Sequence, residues 1–261
     1  MIERLYFGLP LLHFETLDRF GELACAVSTR VGPRGERFDL GPVRGPDRGR
    51  RAGNWKRLGF SLGLGGGLAP QLQVHGPDII RVDAPGDDFG ATRPGDASFT
   101  DRPGIGLLAF SADCPLVAVY DPGRAVGVAH ASWRCTTTLI VQRLVQRMVA
   151  ELGCRPGRMW SGISPSAGPC CYEVGPEVYE SASRLPDRES CFTRSAGGGQ
   201  EKFRFDLWRA AAQQLIAAGL GPQQIQPARL CTICRNDQFF SYRREGEGAG
   251  AFGLMIGRRA S

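Results

Sequence analysis

The fold of this chain is decided by the stretch SADCPLVAVYDPGRAVGVAHASWR, Ser111–Arg134. Its two apolar runs, Leu116–Tyr120 and Ala125–Ala129, are rich in valine and alanine and are separated by an Asp-Pro-Gly turn signal. Short apolar runs bounded by turn residues are typical of buried strands. We therefore predict two neighbouring strands, with Cys114 just before the first and His130 at the end of the second.

Outside this stretch, the pattern predicts both helices and strands. Apolar residues at helical spacing predict a helix over Thr136–Leu152. The segment QLQVHG, Gln71–Gly76, is predicted as a short strand that delivers His75, and Phe239–Tyr242 as another strand. The segments 84–95 and 186–201 are rich in glycine and polar residues and are predicted as loops.

The composition is that of an ordinary globular protein. The chain has 261 residues, of which 42% are hydrophobic and 22% charged. Strands and helices are mixed and no linker divides the sequence. We predict an α/β (α+β) fold, with mixed β-sheets flanked by helices, as a single domain over residues 1–261.

The charge pattern argues against nucleic acid as a partner. The formal net charge is +6, but the basic residues are scattered and no run of five like charges occurs. All are arginine except Lys56 and Lys202. A basic balance alone is non-specific, and the arginine excess suits an anionic small molecule better.

The cysteines and the N-terminal sequence indicate a reducing compartment. Nine cysteines are an odd number, and the adjacent Cys170 and Cys171 have poor geometry for a mutual disulfide. The first twenty residues lack the features of a secretory signal, and no apolar run is long enough to span a bilayer. We expect a reduced, soluble, cytoplasmic protein with no membrane partner.

Three residues could form a catalytic metal site. A catalytic zinc takes three ligands from His, Cys or carboxylate and keeps one position open. His75, Cys114 and His130 are each predicted at the end of an apolar strand and could supply such a set. Their spacing matches no compact zinc motif, so two buried histidines and a small apolar cysteine are the alternative interpretation.

Several motifs then reveal a resemblance. They include Q-V-H-G (Gln73–Gly76), S-A-D-C-P (Ser111–Pro115), H-A-S-W-R (His130–Arg134), G-P-C-C-Y-E-V-G (Gly168–Gly175) and F-F-S-Y-R-R (Phe239–Arg244). Taken in order along the chain, they resemble those of the laccase-domain family, also called the YfiH or polyphenol-oxidase family.

The resemblance implies a function as well as a YfiH-like fold. Members are described as purine nucleoside phosphorylases, and adenosine deaminase activity is also described. The family binds zinc through the residues that correspond to His75, Cys114 and His130. The resemblance therefore implies zinc as cofactor, and a purine nucleoside and phosphate as partners.

The sequence departs from the family pattern beside the site. Cys135 replaces the usual glycine after W-R, and Ser132 replaces the glycine of H-A-G-W. Ala167 stands where isoleucine is usual. These changes alter bulk near Arg134 and place the substrate preference in doubt.

Phosphorolysis needs a group that holds phosphate. Arginine binds two phosphate oxygens with its fork and stays charged. Arg134 is the first candidate, as a catalytic residue, and Arg30 and Arg243 follow as substrate-binding residues. Surface ion pairs are the alternative for all three. We also predict a substrate-binding role for Gln73, which precedes the histidine of Q-V-H-G.

Asp113 is a second predicted catalytic residue, because it lies next to Cys114. It could accept a proton, orient a histidine ligand, or bond a turn. Cys170 and Cys171 could be structural or line the pocket. The pair Cys231 and Cys234 could be redox-active or form half of a zinc site, but no second pair of that spacing exists.

The small number of histidines argues against a multicopper oxidase. The chain has only three histidines, and His13 lies in an N-terminal apolar segment. A multicopper oxidase needs many more imidazoles, so we expect no conventional multicopper enzyme. Copper could still displace zinc, because Cu²⁺ binds such ligands more tightly.

Three functions remain in competition. The first is a zinc-dependent purine nucleoside phosphorylase with deaminase side activity. The second is a hydrolase of a peptidoglycan precursor, which would use zinc-activated water or a Cys114 nucleophile with His130 as base. The third is a non-catalytic metal-binding protein.

Overall fold

Two six-stranded sheets form the centre of the molecule. The structure, a computed structural model, describes residues 1–43, 45–65, 67–86, 94–195 and 201–260. The first sheet has the strand order β1 (Ile2–Tyr6), β2 (Leu9–His13), β3 (Leu23–Ser28), β15 (Phe252–Arg258), β7 (Gly106–Ser111) and β4 (Leu68–Pro70). The second has the order β14 (Ile225–Pro227), β10 (Trp160–Ile163), β8 (Leu116–Asp121), β9 (Ala125–His130), β6 (Ala97–Thr100) and β5 (Ile79–Arg81).

A smaller sheet and eight α-helices complete the described part of the chain. The small sheet has the order β11 (Glu173–Val174), β13 (Lys202–Phe205) and β12 (Phe192–Ser195). The helices are α1 (Glu15–Asp18), α2 (Arg48–Ser61), α3 (Trp133–Thr137), α4 (Ile140–Leu152), α5 (Pro176–Ser181), α6 (Arg188–Cys191), α7 (Leu207–Ala217) and α8 (Tyr242–Glu245). None of these helices has the length and apolar character needed to cross a membrane.

The two large sheets pack face to face, and helices cover their outer faces. On β8, Ala118 and Tyr120 contact the first sheet, whereas Val117 and Val119 face α4 and α7. On β7, Leu108 likewise faces outward toward α2. This is the two-residue alternation of a strand buried on both faces. The predicted class of mixed sheets flanked by helices is confirmed.

The predicted helix over Thr136–Leu152 is wrong at its start, because two helices occupy this region. Leu139, between α3 and α4, is in the left-handed conformation with φ 60°. The hydroxyls of Thr137 and Thr138 donate to backbone carbonyls three residues earlier. Such local bonds compete with the helix ladder, and the chain turns before it resumes as α4.

Two predicted strands do not form. Gln71–Gly76 is not a strand. After the Gln71 N–H, which donates to the Leu108 carbonyl at 2.9 Å, the N–H groups of Val74 and Gly76 bond the Asp96 carboxylate instead of a neighbouring strand. Phe239–Tyr242 also forms no strand. There the Phe239 N–H donates to the Arg235 carbonyl at 2.9 Å and its carbonyl accepts from the Asn236 side chain at 3.1 Å, so the backbone closes a turn, and α8 begins at Tyr242.

The predicted loop 186–201 is wrong in part, since α6 and β12 lie within it. Phe192 of β12 stacks on Phe205 of β13 with ring centroids 4.2 Å apart, which gives this small sheet its own core. Residues 196–200 of that segment, and residues 87–93 of the predicted loop 84–95, lie outside the described residues.

Candidate metal centre

Three reactive side chains, those of Asp96, Cys114 and His130, lie at the same end of adjacent strands in the second sheet. His130 ends β9 and pairs with Leu116 at the start of β8, so Cys114 lies two residues before that pair. Ala97 at the start of β6 pairs with Ala129, so Asp96 lies at the same end. The antiparallel register therefore brings together residues that are far apart in sequence.

A buried carboxylate fixes the orientation of His130. The Nδ1 atom of His130 lies 2.8 Å from Oδ1 of Asp96, and both side chains are buried. Burial by itself would raise the pKa of Asp96, but the bonds from His130, Gly76 and Val74 outweigh it and lower that pKa. An ionised Asp96 accepts the Nδ1 proton and leaves Nε2 free, which is the usual arrangement of a metal-bound histidine.

The same carboxylate positions the segment that carries His75. Its Oδ2 accepts the backbone N–H groups of Val74 at 3.0 Å and Gly76 at 2.9 Å, on either side of that histidine. His75 itself is in the left-handed region with φ 57°. Its ring meets that of His130 edge-on with centroids 5.0 Å apart. The Asp96 carboxylate therefore holds both imidazoles together.

The His75 ring is held in the form that a metal requires. Removal of water around the ring lowers its pKa, nearby His130 and Arg134 lower it further, and Asp96 opposes them. The neutral imidazole is consequently favoured at neutral pH. Neutral imidazole is the metal-ligating form, so this residue fits a zinc or copper ligand.

Cys114 lies in an environment that disfavours a free thiolate. Burial raises the pKa of the Cys114 thiol to about 12, and the charges of Asp113 and the Cys135 thiol contribute. A coordinating cation reverses this preference, because it deprotonates a thiol outright.

Asp96 and Cys135 lie beside His130, and neither was predicted from the sequence as a site residue. Donor atoms of Asp96, His130 and Cys135 lie within 4.8 Å of one another. In the described ranges only one other such group of donors was found, and neither group includes His75 or Cys114. The signal for Asp96 was an acid directly before a buried strand. Cys135 was seen only as a departure from the family pattern.

Cys135 is packed tightly beside the histidines. It is fully buried, its sulfur lies 3.0 Å from the Ser132 hydroxyl and 3.4 Å from the Gly76 carbonyl, and Ser132 caps α3. Two of the departures from the family pattern, Ser132 and Cys135, thus contact each other, and Cys135 also contacts the His75 segment.

Asp113, the residue before Cys114, accepts hydrogen bonds from two distant segments of the chain. Its carboxylate accepts the Thr232 hydroxyl at 2.6 Å and the Arg243 backbone N–H at 2.7 Å. Asp113 is buried and has φ 104°, an uncommon conformation for this residue type. Of the three predicted roles, these contacts correspond to bonding a turn, and the carboxylate that bonds His130 is Asp96.

The three arginines predicted as site residues differ in whether their charge is paired within the protein. Arg134 is exposed, and its guanidinium lies 4.3 Å from the Trp133 ring centroid. Arg243 is also exposed and donates to the Glu173 carbonyl at 3.3 Å. Arg30 instead pairs with the Glu245 carboxylate at 3.1 Å, so its charge is matched inside the protein.

Arg134 and Arg243 share a neighbour in Tyr172. Burial raises the pKa of Tyr172, the charge of Cys114 adds to this, and the two guanidinium groups oppose it. The Arg243 guanidinium lies 5.2 Å from the Tyr172 ring centroid. Gln73 lies elsewhere: both of its polar atoms bond the backbone of Phe110, at 2.8 and 2.9 Å.

His13 is engaged away from these contacts. Its ring stacks on Tyr6 with centroids 5.3 Å apart, and Nδ1 lies 3.3 Å from Asp18. Of the three histidines, His75 and His130 are therefore the two available to the candidate metal centre.

Sequence and structure comparisons place the chain among known proteins. A family model described as multi-copper polyphenol oxidoreductase laccase matches residues 24–259. The chain is 38% identical to a purine nucleoside phosphorylase of Bacteroides thetaiotaomicron, over 94% of this chain and 96% of that protein. It is 30% identical to purine nucleoside phosphorylase YfiH of Escherichia coli, over 86% and 89%.

The fold comparison agrees. The crystal structure of YlmD from Geobacillus stearothermophilus superposes with a TM-score of 0.83 and 30% identity, over 97% of each chain. That of YfiH from Bacillus licheniformis has the same TM-score and 26% identity. The chain therefore belongs to the laccase-domain family.

Proposed function

We propose that this protein is a zinc-dependent purine nucleoside phosphorylase that converts adenosine, inosine or guanosine to the base and ribose 1-phosphate. The names of its relatives support this reaction class. The observation that carries the proposal is the bond between His130 and buried Asp96, which leaves Nε2 of His130 free beside the His75 ring.

His75, Cys114 and His130 would hold the metal. Two neutral imidazoles and a thiolate suit zinc and also admit copper. When bound, a zinc ion supplies a Lewis acid with an open position for phosphate, a substrate oxygen or water. Activation of water at that position is also what an adenosine deaminase side activity would require.

The surrounding side chains would bind and orient the anion. Arg134 and Arg243 are exposed cations, and the Arg243 guanidinium lies 5.2 Å from the Tyr172 ring centroid. Their planar forks match phosphate oxygens. In the reaction a phosphate oxygen bonds to C1′ of the sugar as the bond from C1′ to the base nitrogen breaks. Holding phosphate beside C1′ is therefore the main task of these arginines.

Arg30 and Gln73 would act by positioning. The Arg30 guanidinium is paired with Glu245 and also donates to the Asn236 carbonyl at 2.7 Å. Gln73 joins the His75 segment to the backbone of β7 through Phe110. Both residues order the segments around the centre and leave substrate contact to Arg134 and Arg243.

The thiol route of the hydrolase alternative is disfavoured. A metal-free nucleophile needs a lowered thiol pKa, whereas burial raises that of Cys114 to about 12. Hydrolysis by zinc-activated water, or metal binding without catalysis, would use the same residues. The assay below separates these outcomes by the need for phosphate.

The test measures base release from inosine and adenosine with and without phosphate, together with zinc content. We expect phosphate-dependent release that a chelator abolishes and zinc restores. His130→Ala should lower kcat/KM more than about 100-fold and remove one ion per chain. The matched control His13→Ala should leave the ion content unchanged. Base release without phosphate, or full activity after complete metal removal, would overturn the proposal.

A further inference from the structure

Four cysteines from two distant segments meet in the folded chain. Cys170 and Cys171 lie in the turn before β11, and Cys231 and Cys234 lie in the turn after β14. All four sulfur atoms lie within 4.8 Å of one another. The sequence contains no second CxxC pair. The adjacent Cys170 and Cys171 supply the other two thiols of the group instead.

The backbone fixes the two turns side by side. Ser166 and Cys231 form a parallel bridge, in which the Thr232 N–H donates to the Ser166 carbonyl at 3.0 Å. The Gly168 N–H donates to the Cys231 sulfur at 3.3 Å. This pairing holds the sulfurs together before any ligand arrives.

The sulfur distances match a tetrahedral ion. The Cys234 sulfur lies 3.8 Å from that of Cys170 and 3.4 Å from that of Cys171. Four sulfurs around one zinc ion, each at about 2.3 Å, stand about 3.8 Å apart. A disulfide needs a separation of about 2.05 Å, and all four thiols are free. The spacing is too close for an iron–sulfur cluster, which separates its thiolates by its own atoms.

The turn around Cys231 is arranged for a thiolate ligand. Besides Gly168, the backbone N–H groups of Ile233 and Cys234 interact with the Cys231 sulfur. Bonds from N–H groups to a metal-bound sulfur are typical outer contacts of thiolate sites. Cys231 is buried, whereas Cys170 and Cys234 are exposed, so an ion can enter from solvent.

Cationic side chains are tied to both turns. The Arg204 guanidinium donates to the Cys170 carbonyl at 3.1 Å, and that of Arg244 to the Ile233 carbonyl at 3.0 Å. Four thiolates and one divalent ion carry a net charge of about −2. The Arg244 guanidinium, and that of Arg204, which also lies 3.6 Å from the Glu173 carboxylate, offset part of that charge.

We propose that Cys170, Cys171, Cys231 and Cys234 form a second metal site, which binds one zinc ion through four thiolates. Because all four positions are filled by protein, the site is structural rather than catalytic. Binding converts the four thiols to thiolates with release of their protons. The ion joins the two turns and so supports Thr232 against Asp113, next to Cys114. The proposal is independent of the nucleoside chemistry.

The first test counts zinc in reduced protein after purification with zinc and removal of weakly bound metal. We expect about two ions per chain when both centres are loaded. Cys231→Ser with Cys234→Ser should remove one ion, and His130→Ala should remove the other. The control Cys154→Ala changes a buried cysteine outside the cluster and should remove none. An unchanged count in the double Cys→Ser variant would overturn this proposal alone.

A second measurement applies if that double variant does not fold. In Cys114→Ala protein, whose cluster is intact, added zinc should protect about four thiols from a chromogenic thiol reagent, and a chelator should expose them again. Cobalt in place of zinc should give the strong absorption of several thiolate ligands. A disulfide between the turns in freshly reduced protein, or no thiol protected by zinc, would contradict the site.

Discussion

The two donor clusters of this protein are built in opposite ways. The histidine centre lies at strand ends, where sheet register and buried Asp96 fix His130 and the His75 segment. The cysteine cluster lies in two turns, and Cys170 and Cys234 are exposed. The first is thus positioned by the buried core, whereas the second is positioned by the pairing of two surface turns, which a bound ion would tighten further. Catalytic centres need such fixed geometry, but a structural ion can supply its own.

The largest effect that tests this contrast is expected at Asp96. Asp96→Asn removes the charge that holds the Nδ1 proton of His130 and places an amide against two backbone N–H groups. We expect metal affinity or kcat/KM at the histidine centre to fall about 10- to 100-fold, measured by metal competition and the phosphorolysis assay.

Asp39→Asn is the matched control for that experiment. Asp39 is equally buried and accepts the N–H groups of Gly41 and Ala251 at 2.8 and 2.9 Å, outside the centre. It should lower stability and leave metal affinity unchanged. Equal losses of affinity in both variants would show that Asp96 acts only through the fold.

The next effect, on stability rather than on metal affinity, is expected at the contact that joins the two clusters. Thr232→Val keeps the shape of the side chain but removes the hydroxyl that donates to buried Asp113 at 2.6 Å. An unpaired buried carboxylate oxygen costs about 1–3 kcal/mol. We expect the free energy of unfolding in urea to fall by that amount. The exposed Thr193→Val serves as control, and an equal change in both variants would refute the link.

The smallest expected effect is a pH dependence of stability that arises from His13 and His75. Burial lowers the pKa of His13, Asp18 opposes this, and the pKa of His75 is also lowered. Because the unfolded chain then binds more protons, metal-free protein should lose stability as the pH falls below about 6.5. Urea unfolding at about pH 7.5 and about pH 5.5 measures this. His13→Gln should reduce the loss, and stability that rises on acidification would contradict the prediction.

Much of the fold was predictable because its signals are local. The runs that became β8 and β9 alternate toward two cores and are bounded by turn residues, so their strand character and their position beside Cys114 and His130 were correct. The strand predicted for Gln71–Gly76 failed because the distant Asp96 carboxylate accepts the backbone N–H groups of Val74 and Gly76. No local pattern contains such contacts.

The sequence by itself determined the fold class, the family and the residue types available for chemistry, since these follow from periodicity, motifs and composition. Only the tertiary structure decided that Asp96 orients His130, that Asp113 bonds Thr232, and that four cysteines share one small volume. The reason is that strand register and turn pairing act through space. They bring together side chains whose separation along the chain carries no signal of their contact.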